Sequence, residues 1–208
     1  MKIIVLSMDN EMGKKRREKI SYDFEWFKCE PTLEFIHNKF SHFWNKGIEK
    51  KNTCENCCSN WYKLLKKIYD EKIDDCIVME DDNIIKKDIY DRFIKDEKKQ
   101  LCYLNGQFIT PHHFKPYYNF HKQNGLNTIN YETSKILCTY GFYIPKHTDI
   151  KHILTIMEEC QYIRAFDIFI MKYKSIKHYY YPSVLLNDDD GYSQLGNKSY
   201  GIIDNYRY

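Results

Sequence analysis

Three consecutive acids, Glu80-Asp81-Asp82, follow the short apolar run Cys76-Ile77-Val78-Met79. Carboxylates crowded at the end of a strand repel one another, and a divalent cation relieves that repulsion while bridging to phosphate oxygens. An enzyme that cleaves a nucleotide-sugar needs such an ion to neutralise its diphosphate leaving group. The alternative is an acidic turn facing solvent. Far upstream, Lys14-Lys15-Arg16-Arg17 opens a predicted helix. Backbone donors and the positive end of the dipole favour phosphate there. Lys14, Lys15 and Arg16 read as a solvated helix face, and Arg17, one turn further in, is the candidate for function.

Other chemistry-bearing residues are less directed. Cys54-Glu55-Asn56-Cys57-Cys58 invites a zinc reading, but structural zinc wants a second ligand pair at similar spacing, and Cys76 and Cys102 stand alone. The eight Cys therefore read as reduced thiols. His112 and His113 read as loop residues. Asp188-Asp189-Asp190 leads into Gly191, a common turn signal. Without a secretory signal, the acceptor pattern Asn197-Lys198-Ser199 carries no meaning.

The elements that must position these groups follow from periodicity. Lys2 to Met8 predicts a strand, with a helix from Gly13 to Ile20. Tyr22 to Cys29 alternates aromatic and polar residues, a half-buried strand that Pro31 ends. Trp61, Leu64, Leu65 and Ile68 recur at helical spacing among Lys63, Lys66 and Lys67, so 55–70 predicts an amphipathic helix. Cys76 to Met79 predicts a strand buried on both faces. Further predictions are a helix over 87–95, a strand over 101–104, loops with short strands over 105–130 and a strand over 136–144. Helices over 147–160 and 166–173 follow, then a strand over 175–186 interrupted at Pro182. Alternating strands and helices make this an α/β chain whose central sheet is mixed and mostly parallel, flanked by helices.

The 208 residues suit one domain, 1–208, and can bury a core without staples. With 43% hydrophobic residues the chain is too apolar to be disordered, and 32 Lys and Arg against 29 Asp and Glu leave +3, too little for a dedicated nucleic-acid binder. The surplus of Lys, Asn, Ile and Tyr reads as codon drift in an AT-rich genome. No apolar stretch reaches the roughly 18 residues of a membrane span, and the amino-terminal run is too short for a signal peptide. A cytoplasmic, unanchored protein is expected.

Several short segments follow one another in a telling order: Val5-Leu6-Ser7-Met8-Asp9 with Arg16-Arg17; Cys57-Cys58-Ser59-Asn60-Trp61-Tyr62-Lys63-Leu64; Ile77-Val78-Met79-Glu80-Asp81-Asp82; Gly141-Phe142-Tyr143-Ile144; Phe166-Asp167-Ile168-Phe169; and Tyr181-Pro182 through Ser193. That order resembles the lipopolysaccharide and procollagen galactosyltransferase family of GT-A-fold glycosyltransferases, including a large-DNA-virus type. Asn60 departs from the family's usual His, and Asn187-Asp188-Asp189-Asp190 stands where Gln and uncharged residues are usual. The resemblance implies transfer of a hexose-type sugar from a nucleotide diphosphate sugar, expected to be UDP-linked, to a hydroxyl on a glycan or glycoprotein. Ser7, Met8, Asp9, Arg17, Glu80 and Asp81 would contact the nucleotide, with Glu80 at the ribose. Asp82, with Glu80, would hold Mn2+ or Mg2+. Asp167 would be the base of an inverting reaction, or equally a helix N-cap. Cys57 and Cys58 would pack beneath the site, and Asp188, Asp190 and Ser193 would belong to a loop over the donor. Two other classes remain open: a metal-dependent nucleotidyl- or phosphoryl-transfer enzyme, and a non-catalytic sugar-binding domain of the same fold.

Overall fold

The computed structural model describes residues 1–30, 51–109, 124–132, 135–159, 166–181, 184–187, 192–193 and 198–199. In chain order the elements are β1 (Lys2–Met8), α1 (Glu11–Arg17), β2 (Glu25–Cys29), α2 (Lys51–Asp70), β3 (Cys76–Glu80), β4 (Asn83–Ile85) and α3 (Lys87–Lys95). Then come β5 (Cys102–Ile109), β6 (Gly125–Thr128), β7 (Lys135–Ile144), a 3-10 turn (His147–Ile150), α4 (Lys151–Glu159), α5 (Phe166–Lys172), β8 (His178–Tyr181), β9 (Leu185–Asn187), β10 (Tyr192–Ser193) and β11 (Lys198–Ser199).

Seven strands form one sheet in the order β2-β1-β3-β7-β5-β8-β6. β1 runs parallel to both β2 and β3, and β5 is parallel to β8. The β3–β7, β5–β7 and β6–β8 pairings are antiparallel. The sheet is thus mixed in equal parts, and the mostly parallel arrangement expected from the sequence holds only for its first three strands. Two-stranded pairs β4–β9 and β10–β11 complete the described strands.

The strand pleat sends alternate side chains to opposite faces. Ile4, Leu6, Cys76 and Val78 pack with Trp61, Leu64, Leu65 and Ile68 of α2 and with residues of α4 and α5. Ile3, Val5, Ile77 and Met79 pack with Ile89, Tyr90 and Phe93 of α3. On α2 the apolar stripe is fully buried, while Lys63 and Lys66 reach outward to Glu30 and Asp70. Each large apolar side chain sequestered this way contributes about 2 kcal/mol before entropy is counted. Among the described residues no helix is long and apolar enough to cross a membrane.

Several boundaries differ from the sequence reading. α2 starts at Lys51, earlier than 55. The expected strand over 101–104 continues to Ile109 through Asn105, Gly106 and Gln107, which read as turn residues. Irregular register on either side of Asn105 accommodates them, and the Asn105 side chain donates to the Leu185 carbonyl at 2.7 Å. The acids are followed at once by β4, which the sequence did not suggest because Asn83 looks like a loop residue.

Candidate functional site

With β2 and β3 on either side of parallel β1, the ends Met8, Cys29 and Glu80 lie at one edge of the sheet. Strand order reverses there, the usual place for a ligand crevice in a sheet of this kind. The sequence-predicted residues Ser7, Met8, Asp9, Arg17, Glu80, Asp81 and Asp82 all belong to this edge.

The end of β3 at Glu80 and the turn that follows it divide the three acids. Asp81 is 8% exposed and turns toward α1's side of the sheet. Its Oδ2 accepts the Ser7 hydroxyl at 2.6 Å and its Oδ1 meets Arg16 Nη1 at 3.3 Å. Burial pushes the Asp81 carboxyl above its ordinary range, opposed by these two partners. Arg17 Nη1 donates to Ser7 Oγ at 2.5 Å and to the Met8 carbonyl at 2.8 Å, and its guanidinium lies 3.9 Å from the Trp26 ring centre. The Trp26 indole donates to the Ser7 carbonyl at 3.1 Å. Arg16 is therefore partly buried against Asp81, not on the solvated face expected for it. Both arginines brace the β1–α1 junction, and so does Ser7, whose hydroxyl is committed between Asp81 and Arg17. Asp9 is exposed and pairs with Lys28 at 2.6 Å, which holds its carboxyl below the ordinary range.

Glu80 turns the other way, beneath α2. Trp61 Nε1 donates to its Oε1 at 3.1 Å, and the Cys57 thiol lies 3.8 Å from the same oxygen. Burial of the carboxyl, then the charge of Asp82, push Glu80 well above the ordinary glutamate range, with smaller contributions from Asp81 and Asp167 and opposition from Trp61. Burial likewise raises the Cys57 thiol, and Cys29 is pushed up to about 12, mainly by burial with Glu80 next. These are inert thiols, because the thiolate is the reactive form. Cys58 is buried core, as its place on the helix suggested.

Asp82 remains half-buried at the turn into β4. Its Oδ1 accepts from Asn83 Nδ2 at 2.7 Å. The same amide also donates to the carbonyls of Glu80 and Tyr140, at 3.2 and 3.1 Å, while the buried Asn83 Oδ1 finds no donor among the described residues. Asp167 sits in the first turn of α5, inside the helix and not at its cap, close enough for its charge to act on Glu80, Cys57 and Tyr103. Asn60, the departure from the family pattern, is engaged with the backbone of Glu30. It accepts from Glu30 N at 2.9 Å and donates to Glu30 O at 3.0 Å, extending the ladder past β2.

Asp188 and Asp190 lie outside the described residues. Ser193 is in β10, and its strand pairs with β11. The sequence reading missed Trp61 and Arg16 as parts of this edge. A buried tryptophan needs an acceptor for its N–H, which was the available signal for Trp61.

Among the described residues no three His, Cys, Asp or Glu side chains converge as a ready-made metal cage. No family model matches the chain, and no curated protein matches it.

Proposed function

We propose that this chain is a GT-A-like glycosyltransferase, moving a hexose-type sugar from a nucleotide diphosphate sugar, most simply a UDP-sugar, to a hydroxyl of a glycan or glycoprotein. The observation that carries the proposal is the pair of carboxylates Glu80 and Asp82 where β3 ends beside the end of β1, with the charge of Asp82 adding to burial in raising Glu80. Displacement at an anomeric carbon needs a base for the acceptor proton and stabilisation of the departing diphosphate. Asp167 is the base in this scheme, and Glu80 is the ribose contact.

The donor set fits Mn2+ or Mg2+. It is all oxygen, its carboxylates repel one another, and Asn83 Oδ1 adds a buried acceptor in want of a positive partner. Hard divalent ions in nucleotide enzymes use one or two carboxylates and complete their shell with water and phosphate oxygens, so the lack of a three-residue cage among the described residues is compatible with this use. Asp82 and Glu80 would hold the ion, whose contribution is to offset charge on the diphosphate. The Ser7–Asp81–Arg16–Arg17–Trp26 network fixes the β1–α1 junction alongside, presenting Met8 and Asp9 to the nucleotide.

Calorimetric titration with uridine, guanosine and cytidine diphosphates, each with and without Mn2+, tests the proposal. Binding of one diphosphate that strengthens about tenfold or more with Mn2+ is expected, equivalent to about 1.4 kcal/mol. Absence of binding by all three, with and without the ion, overturns it.

A further inference from the structure

Glu80 is not held by its own strand. Its Oε1 is met by two groups from successive turns of α2, the Trp61 indole N–H at 3.1 Å and the Cys57 thiol at 3.8 Å. Residues four apart on a helix share one face, which is how both reach a single oxygen. Among the described residues nothing donates to Oε2. The Trp61 ring is in turn clamped. It stacks on Phe166 with centroids 4.7 Å apart and planes within 6°, and on Phe142 at 5.2 Å and 22°. Trp61, Phe142 and Phe166 are each no more than 2% exposed. Phe166 is the residue immediately before Asp167, and both lie in the first turn of α5.

One side chain therefore touches both halves of the candidate site. Its N–H fixes the rotamer of Glu80 at the end of β3, and its ring seats the helix turn that carries Asp167. A packed aromatic stack resists displacement because interiors are dense and ring contacts have specific geometry. We infer that Trp61 is a positioning residue that holds Glu80 and Asp167 in one rigid frame, committing Glu80 Oε1 to the protein and leaving Oε2 for the ligand. What Glu80 binds rests on the glycosyltransferase reading, whereas how Glu80 is held does not.

Two measurements on the full chain test this. The first needs no ligand. In 15N spectra the Trp61 indole proton should exchange slowly, and Glu80→Ala should speed that exchange and move the Phe166 and Asp167 amide signals, leaving the Trp26 indole in place. A Trp61 indole indifferent to Glu80→Ala overturns the inference. The second uses uridine diphosphate with Mn2+. Trp61→Phe keeps an aromatic ring but removes the donor, so it should weaken binding about tenfold, as loss of a hydrogen bond to a charged group does, and Glu80→Ala, which also removes the ligand contact, should weaken it at least as much. The double variant should be no weaker than Glu80→Ala alone, because Trp61 acts through Glu80. A Trp61→Phe variant that melts earlier yet binds normally makes Trp61 core filling only and defeats the inference. If the wild type binds no nucleoside diphosphate, the transferase reading falls, and the indole and amide signals alone decide for or against Trp61.

Discussion

Asp82 and Asp81 are neighbours with opposite commitments, and substitution should separate them. Asp82 is half-buried, and the Asn83 amide that donates to its Oδ1 keeps two carbonyl acceptors when Asp82 is lost. Asp82→Ala should therefore shift stability by no more than about 1 kcal/mol, and a slight gain is reasonable because a repulsive charge near Glu80 disappears. Its effect on function should be large: Mn2+-dependent binding of nucleoside diphosphate is lost. Unchanged Mn2+ dependence in that variant would remove Asp82 from the metal assignment. At this scale the sequence was only partly legible. The acids could be found from their run and their place after an apolar strand. Their division between the two faces, with Asp81 going to Ser7 and Arg16 and Glu80 to Trp61, depends on contacts 74, 65 and 19 residues apart in the chain. No local pattern encodes such pairs, so Arg16 looked like one more cation on a wet helix.

β1, β3 and α3 were legible because each combines an unbroken apolar pattern with clear stops, and the α1 junction was not because it depends on a close approach. Gly13 sits against the end of β1, where an added Cβ would lie 2.2 Å from the Met8 carbonyl oxygen and 2.8 Å from Ser7 Oγ. Gly13→Ala should push α1 off the strand at a cost of about 1–3 kcal/mol. For a chain of this size that lowers the melting temperature by roughly 2–4 °C per kcal/mol. It should also loosen the Arg16 and Arg17 braces and weaken nucleotide binding. A variant with wild-type melting and binding would show that α1 is not seated as described. At the other end of the same strands, Glu25 ties β2 to Lys2 of β1 and to Lys67 of α2. Those partners hold its carboxyl below its ordinary 4.5. A lowered folded-state value means the unfolded chain binds more protons in the window between the two values, so stability falls as pH falls through it. The Glu25 contribution is present above about pH 4.5 and gone once the folded carboxyl is protonated. Urea midpoints of Glu25→Gln should lie below wild type at neutral pH and converge with it in acid. A gap that stays constant with pH would mean that packing, not charge, sets the effect of Glu25.

For the whole molecule the question is which end of the sheet takes the ligand. The amino-terminal edge has a cleft of about 600 Å³ lined by Lys2, Asp23, Glu25, Asp74 and Asp75. Its acids are largely spoken for: Asp75 accepts from the Tyr143 hydroxyl at 2.8 Å, Asp74 from the His147 ring and backbone at 2.7 and 2.8 Å, and Glu25 is paired as above. An edge rich in carboxylates repels a diphosphate, whose charge favours cations or helix amino termini. The carboxyl edge carries the strand reversal, two arginines at the β1–α1 junction, and Glu80 beside Asp82, whose charge adds to burial in raising Glu80. A cation brought with the nucleotide offsets the repulsion between those two carboxylates, which is why the two should bind together and neither well alone. Hydrogen exchange on the full chain should then show protection at Ser7 to Asn10, Glu80 to Asn83 and the first turn of α5 when uridine diphosphate and Mn2+ are added together. Amides of Asp74, Asp75 and His147 should exchange at unchanged rates. Protection at the amino-terminal edge instead would move the ligand to the opposite end of the sheet and leave the Glu80–Asp82 run as an acidic turn.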